Sequence, residues 1–111
     1  MSATGYFGEF ELLVMLALIR LSEGAYGVPI SREIERHTGR EVVLGSVYAT
    51  LERLEQKGFV SSEIGEPTPE RGGKAKRYFH PTSKGLARVQ GTRQALTRLW
   101  HGLPEFRGEL V

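Results

Sequence analysis

Between residues 8 and 22 apolar side chains recur at the spacing of a helix. Phe10, Leu13, Ala17, Leu18 and Leu21 make one stripe at intervals of three and four. Leu12, Met15, Leu16 and Ile19 cover much of the remaining circumference. A helix that is apolar nearly all round has to be buried on several sides, and in so short a chain a second subunit is one source of cover. Gly24 stops this helix, and Ala25-Tyr26-Gly27 makes a tight link. The pattern predicts a second helix over residues 28–38. Pro29 falls in its first turn, where a missing N–H costs nothing. Ile30 and Ile34 point inward, and Gly39 suits the left-handed position that ends a helix. After a short connection, a third helix is expected over residues 45–57, with Val47, Leu51 and Leu54 as its buried stripe and Gly58 as its stop. Val42, Val43 and Leu44 ahead of it carry no side-chain oxygen to cap the first amides.

Beyond Gly58 the period falls from 3.6 to two. Residues 59–64 read as a strand and residues 75–80 as its antiparallel partner, with Pro67, Pro69, Gly72 and Gly73 at the hairpin tip. Tyr78 and Phe79 point to opposite faces of the second strand, so one belongs to the core. Thr82 or Ser83 can cap a last helix that runs to about Gly102 and stops before Pro104. Leu86, Val89, Leu96, Leu99, Trp100 and Leu103 lie along one side of it. Val89, Leu96 and Leu103 recur every seven residues, as in a coiled-coil seam. Gly91 interrupts that helix at a cost of about 1 kcal/mol relative to alanine.

These elements occupy 111 residues, enough for one domain and an appended element. The longest apolar stretch, residues 12–19, is far short of the roughly 20 residues that span a bilayer. It follows Glu9 and Glu11 instead of a basic segment, so it does not read as a secretory signal, and the expected location is the cytoplasm. The chain has no cysteine, which excludes disulfides, thiolate zinc sites and cysteine nucleophiles. His37, His80 and His101 are scattered, with no second ligand at metal spacing. There is no phosphate loop and no nucleophile–base set, so neither an enzyme nor a cofactor is expected. The net charge is only +2, and its distribution says more than its sum. Glu63, Glu66 and Glu70 precede Arg71, Lys74, Lys76 and Arg77, which run without an acid among them. Such a run is either a solvated loop or a contact for phosphates.

Helix, helix, helix, basic two-stranded hairpin, helix is the order of a winged helix-turn-helix. The fold class is therefore mainly α with a two-stranded antiparallel wing. Residues 1–81 form the expected DNA-binding domain, and residues 82–111 a C-terminal dimerisation helix and tail. A helix fits the major groove, while hairpin cations follow the neighbouring phosphates. If Val47, Leu51 and Leu54 face the core, then Ser46, Ala49, Thr50 and Arg53 are displayed on the other side. Small residues let the backbone approach DNA. Thr50 can touch a thymine methyl, and Arg53 can reach a phosphate or guanine. An ion pair with a nearby Glu is the competing role for Arg53.

The segment Gly45-Ser46-Val47-Tyr48-Ala49-Thr50-Leu51-Glu52-Arg53-Leu54-Glu55-Gln56-Lys57-Gly58 resembles the third-helix signature of PadR-like transcriptional regulators. Arg77-Tyr78-Phe79-His80-Pro81-Thr82-Ser83-Lys84-Gly85 resembles the segment into which the Gly- and Arg-rich wing of that family leads, and Tyr26-Gly27 with Ile30 resembles its link into helix two. Pro81 stands where the family usually has Leu, and Val43 where it has a small polar residue. The resemblance implies a DNA-binding regulator, expected as a repressor, that acts as a homodimer on double-stranded DNA. It also implies a phosphate contact for Tyr48, whose ring could equally pack inside against the first helix. The short C-terminal part is similar to the smaller family members, which dimerise through one helix, here through Leu86, Val89, Leu96, Leu99 and Leu103. In some of these, aromatic residues line a pore for planar apolar compounds. Leu96 and Trp100 are the matching pair here, with burial in the core as the other reading of Trp100. Two other functions fit the fold: a winged helix used for protein–protein contact, and a small-molecule-binding protein without a DNA function. The basic run speaks against the first of these.

Overall fold

The computed structural model describes residues 5–65 and 75–104. Its elements are α1 (Glu9–Leu21), α2 (Gly27–Thr38), α3 (Leu44–Gln56), β1 (Val60–Ile64), β2 (Arg77–Pro81) and α4 (Ser83–Trp100). The order is the expected one, and the strands form a two-stranded antiparallel sheet. Most boundaries differ from the expected ones by one or two residues, and two of the differences matter. The second strand begins at Arg77 instead of residue 75. The last helix ends at Trp100, because His101 turns to extended backbone with ψ 133°. Leu103 therefore lies beyond the helix, and the seven-residue seam reduces to Val89 and Leu96.

The ends of the helices follow local chemistry. Glu11 accepts a hydrogen bond from the Gly8 N–H at 3.2 Å and steadies the start of α1. Gly39 ends α2 in the left-handed conformation, with φ 73°. Val43 precedes α3 and offers no side-chain cap. Thr82 caps α4, its Oγ1 accepting from the Gly85 N–H at 3.0 Å.

The core lies where the first three helices meet the sheet. Val14, Met15 and Leu18 of α1, Ile30 of α2, and Val47, Leu51 and Leu54 of α3 are wholly buried. Burying each such side chain contributes roughly 1.5–3 kcal/mol. The most buried face of α1 thus runs through Val14, Met15, Ala17 and Leu18, while Phe10, Leu13 and Leu21 of the expected stripe are only partly covered. Phe79 is the strand residue that enters the core, and its N–H donates to the Ala25 carbonyl at 2.8 Å. This bond ties β2 to the link between α1 and α2. Tyr78 turns the other way and meets Tyr26 edge-on, ring centres 5.7 Å apart.

An element without a signal in the periodicity precedes α1. Phe7 is buried, packs edge-on against Phe59 at 5.1 Å, and its N–H donates to the buried Thr92 hydroxyl of α4 at 3.0 Å. The Arg88 guanidinium lies 4.4 Å from the centre of the Phe59 ring. The first half of α4 is thereby held against the domain.

Candidate nucleic-acid interface

α3 owes its orientation to its buried stripe. Val47, Thr50, Leu51 and Leu54 recur at intervals of three, one and three and face the core. Thr50 is only 2% exposed, so it does not belong to the outward face, and its expected contact with a base is corrected. A polar residue one step before Leu51 falls on the same side as Val47, and its methyl and short hydroxyl fit an apolar setting. That hydroxyl accepts a hydrogen bond from Arg53 Nη2 at 3.3 Å. Arg53 itself is exposed and forms no ion pair among the described residues. Ser46 and Ala49 are exposed, as expected.

Tyr48 is 37% exposed, and its ring packs against the start of α2 instead of α1. A Cβ on Gly27 would stand 2.3 Å from Tyr48 Cζ, so only glycine lets the ring lie this close. This contact sets α3 against α2, which is the turn of the helix-turn-helix.

The loop end of the hairpin is attached to both neighbours. Arg77 Nη2 donates to Glu55 Oε1 at 2.9 Å and Arg77 Nε to Ser62 Oγ at 2.9 Å, while Ser62 Oγ donates to Glu55 Oε2 at 2.7 Å. Arg77 is thus a clamp between the wing and α3 before it is anything else. Lys76 Nζ sits 4.7 Å from the centre of the Tyr26 ring. Arg71 and Lys74 lie outside the described residues.

A buried acid joins the first two helices. Glu33 meets Arg20 Nε at 2.8 Å, Arg36 Nη1 at 3.3 Å and His37 Nε2 at 3.0 Å. The hydrogen bond from Arg20 holds its carboxyl below the ordinary value of 4.5; burial opposes this, and Arg36 and His37 add to it. The sequence carries a weak sign of it, since Glu33 falls one step before Ile34 on the inward side of α2.

The expected dimer residues divide. Val89 packs on the core, while Leu86, Leu96 at 47%, Leu99 at 76%, Trp100 at 63% and Leu103 are exposed. Trp100 is thus not a core residue of the single chain. Leu12, Leu16 and Ile19 of α1 and Leu86, Leu96 and Trp100 of α4 line a groove of about 730 Å³. Among the described residues no helix is long and apolar enough to cross a membrane.

Residues 15–91 match the profile of the transcriptional regulator PadR-like family. The chain belongs to this family. The PadR-like regulator is also similar to solved structures. A PadR family transcriptional regulator from Eggerthella lenta is 30% identical, with a TM-score of 0.67, over 81% of this chain and 76% of that one. A PadR-like transcription factor from Bacteroides fragilis is 28% identical, with a TM-score of 0.69, over 81% and 82% of the two chains. A PadR-like regulator from Bacillus cereus, at 23% identity and a TM-score of 0.60 over 83% and 94%, shares the fold. Compared with curated protein sequences, the regulator has no match. The winged helix architecture and the role in transcription follow from the family.

Proposed function

We propose that this chain is a homodimeric, sequence-specific DNA-binding repressor acting on a pseudo-palindromic operator in the cytoplasm. The observation that carries the reading is the outward face of α3. It begins with Gly45, Ser46 and Ala49, all exposed and small. One turn further on stands Arg53, a cation in no ion pair among the described residues. A helix of that shape enters a major groove closely, and its cation reaches a phosphate or a guanine. Tyr48 borders this face and can offer its hydroxyl to a phosphate. Lys76 and Arg77 at the loop end of the wing strands, with Arg71 and Lys74 before them in sequence, supply charge for the backbone. In this reading residues 1–81 bind DNA and residues 82–111 carry the dimer contact.

Dimerisation is supported by the exposed apolar side of α4. Leu96, Leu99 and Trp100, together with Leu103 just beyond the helix and Leu16 of α1, leave in water a surface that a second copy would cover, at about 25 cal/mol per Å². An electrophoretic shift on the DNA upstream of the coding sequence tests the whole reading. The expected result is a saturable complex whose footprint has two related halves. No shift on any duplex at micromolar protein would remove the DNA function.

The groove between α1 and α4 favours one addition. Its volume lies in the range of small-molecule sites, and Leu96 and Trp100 give it an apolar wall. A planar apolar effector bound there would relieve or strengthen repression. Such a compound quenches or shifts the emission of Trp100, the only tryptophan. A set of aromatic dyes that leaves the emission unchanged would sink this addition and leave the DNA reading intact.

A further inference from the structure

With Thr50 in the core, the side of α3 opposite the buried stripe is made by Gly45, Ala49, Glu52 and Gln56, recurring at intervals of four, three and four and all exposed. Ser46 and Arg53 border this row on one flank, and Tyr48 on the other. Gly45 and Ala49 project at most a methyl, so Glu52 is the first long side chain met along the row from the N-terminus of α3. The two acids of α3 differ sharply in their surroundings. Glu55 is tied to Arg77 and Ser62. Glu52 has no ion pair or side-chain hydrogen bond among the described residues.

A carboxylate with no partner among the described residues, in the middle of a face that meets DNA, is repelled by every phosphate, whatever the sequence. It gains only where it finds a donor. In the major groove the cytosine N4 amino group is such a donor, and a carboxylate is its natural acceptor. Arg53, next along the helix, is a donor that matches the O6 and N7 acceptors of guanine. Side by side, the two side chains complement a C·G pair or two neighbouring pairs.

We propose that Glu52 is a specificity-determining residue: it accepts a hydrogen bond from a cytosine amino group in each operator half-site and, by repulsion, weakens binding to all other sequences. The proposal rests on the DNA-binding reading above. A residue of this kind lowers overall affinity and raises the ratio of specific to nonspecific binding.

The test selects duplexes from a random-sequence library with the wild-type protein, Glu52→Ala and Glu52→Gln, and then titrates each protein on the wild-type consensus and on a scrambled duplex. Glu52 is exposed, so both variants are expected to fold, and Glu52→Gln keeps the shape of the side chain. Wild type is expected to select a cytosine at a fixed position of each half-site. Glu52→Ala is expected to lose that preference and bind the consensus roughly 5- to 150-fold more weakly at most, the range for one misread base pair, while binding the scrambled duplex more tightly. Glu52→Gln is expected to select adenine there, since a carboxamide pairs with adenine N6 and N7. The proposal is overturned if all three proteins select one sequence, or if Glu52→Ala gains equally on both duplexes, as for a bystander charge. Failure of the wild type to enrich any duplex overturns the DNA reading and the proposal together.

Discussion

Thr50 and Arg53 are three residues apart on α3, and they separate two kinds of polar side chain. Thr50 is a core residue whose hydroxyl anchors Arg53, and Arg53 is the one that reaches outward. Arg53→Ala is expected to weaken binding to the operator by about 1–3 kcal/mol and to scrambled DNA by much less. Thr50→Val keeps the volume and removes the acceptor. It is expected to cost about 1 kcal/mol of stability in a denaturant titration, with a smaller effect on operator affinity than Arg53→Ala. Equal losses on both duplexes for Arg53→Ala would make it a phosphate contact. Glu33 gives a second residue-scale expectation. Its carboxyl titrates lower in the folded chain than in the unfolded one. The stability it contributes is therefore present above its unfolded value near 4.5 and is lost as pH falls through the lower folded value. Wild type should lose stability on acidification more steeply than Glu33→Gln below about that pH. Parallel pH–stability curves would show that Glu33 does not carry the effect.

Among the elements, the proposed interface divides the work of DNA binding between the wing and α3, and the clamp of Arg77, Glu55 and Ser62 joins the two. In the proposed complex the wing cations would meet a backbone whose charge is the same for every sequence, and so would supply affinity without selectivity. Replacing Lys74, Lys76 and Arg77 together with Ala is expected to weaken operator and scrambled duplex by similar factors. It should also flatten the log–log salt dependence by roughly one unit for each phosphate that is no longer neutralised. Arg77→Ala alone is expected to change the slope least, because its guanidinium is already engaged by a carboxylate. Titrations at three salt concentrations measure both quantities. A triple variant that keeps the wild-type slope would remove the wing from the interface.

For the whole molecule, the proposed dimer turns one reading helix into two. A two-fold dimer on two-fold DNA places its α3 helices in successive major grooves, about 34 Å apart. Leu96→Glu combined with Leu99→Glu would bury charge in the α4 contact at a cost of several kcal/mol. Sedimentation should then report a monomer, with the domain still folded because neither residue is part of the core. A monomeric wild type at micromolar concentration would end the dimer proposal, and footprinting that finds one asymmetric site would end the two-fold arrangement.

Much of this protein was legible in its sequence, because the deciding interactions there are local. The order of elements follows from hydrophobic period, from Gly39 and Gly58 as stops and from Thr82 as a cap. The family could be read from the runs of residues 45–58 and 77–85. The sequence also placed Val47, Leu51 and Leu54 in the core and left α3 without a side-chain cap. What it could not decide depends on which neighbour a side chain meets. Thr50 is the exception: it stands three residues after Val47 and four before Leu54, so the helical period already puts it on the buried side, and only its polar type pointed outward. Arg77 reads as one cation in a basic run until strand register brings it to Glu55 and Ser62. Phe7 has no periodic signature and Glu33 only the weak one of lying on the inward side of α2; each is defined by its partners, Arg20 for Glu33 and Thr92 and Phe59 for Phe7. Trp100 and Leu103 share a side of the expected helix, yet the helix stops between them. Periodicity reports what a segment wants to bury, and only tertiary structure supplies the surface that buries it.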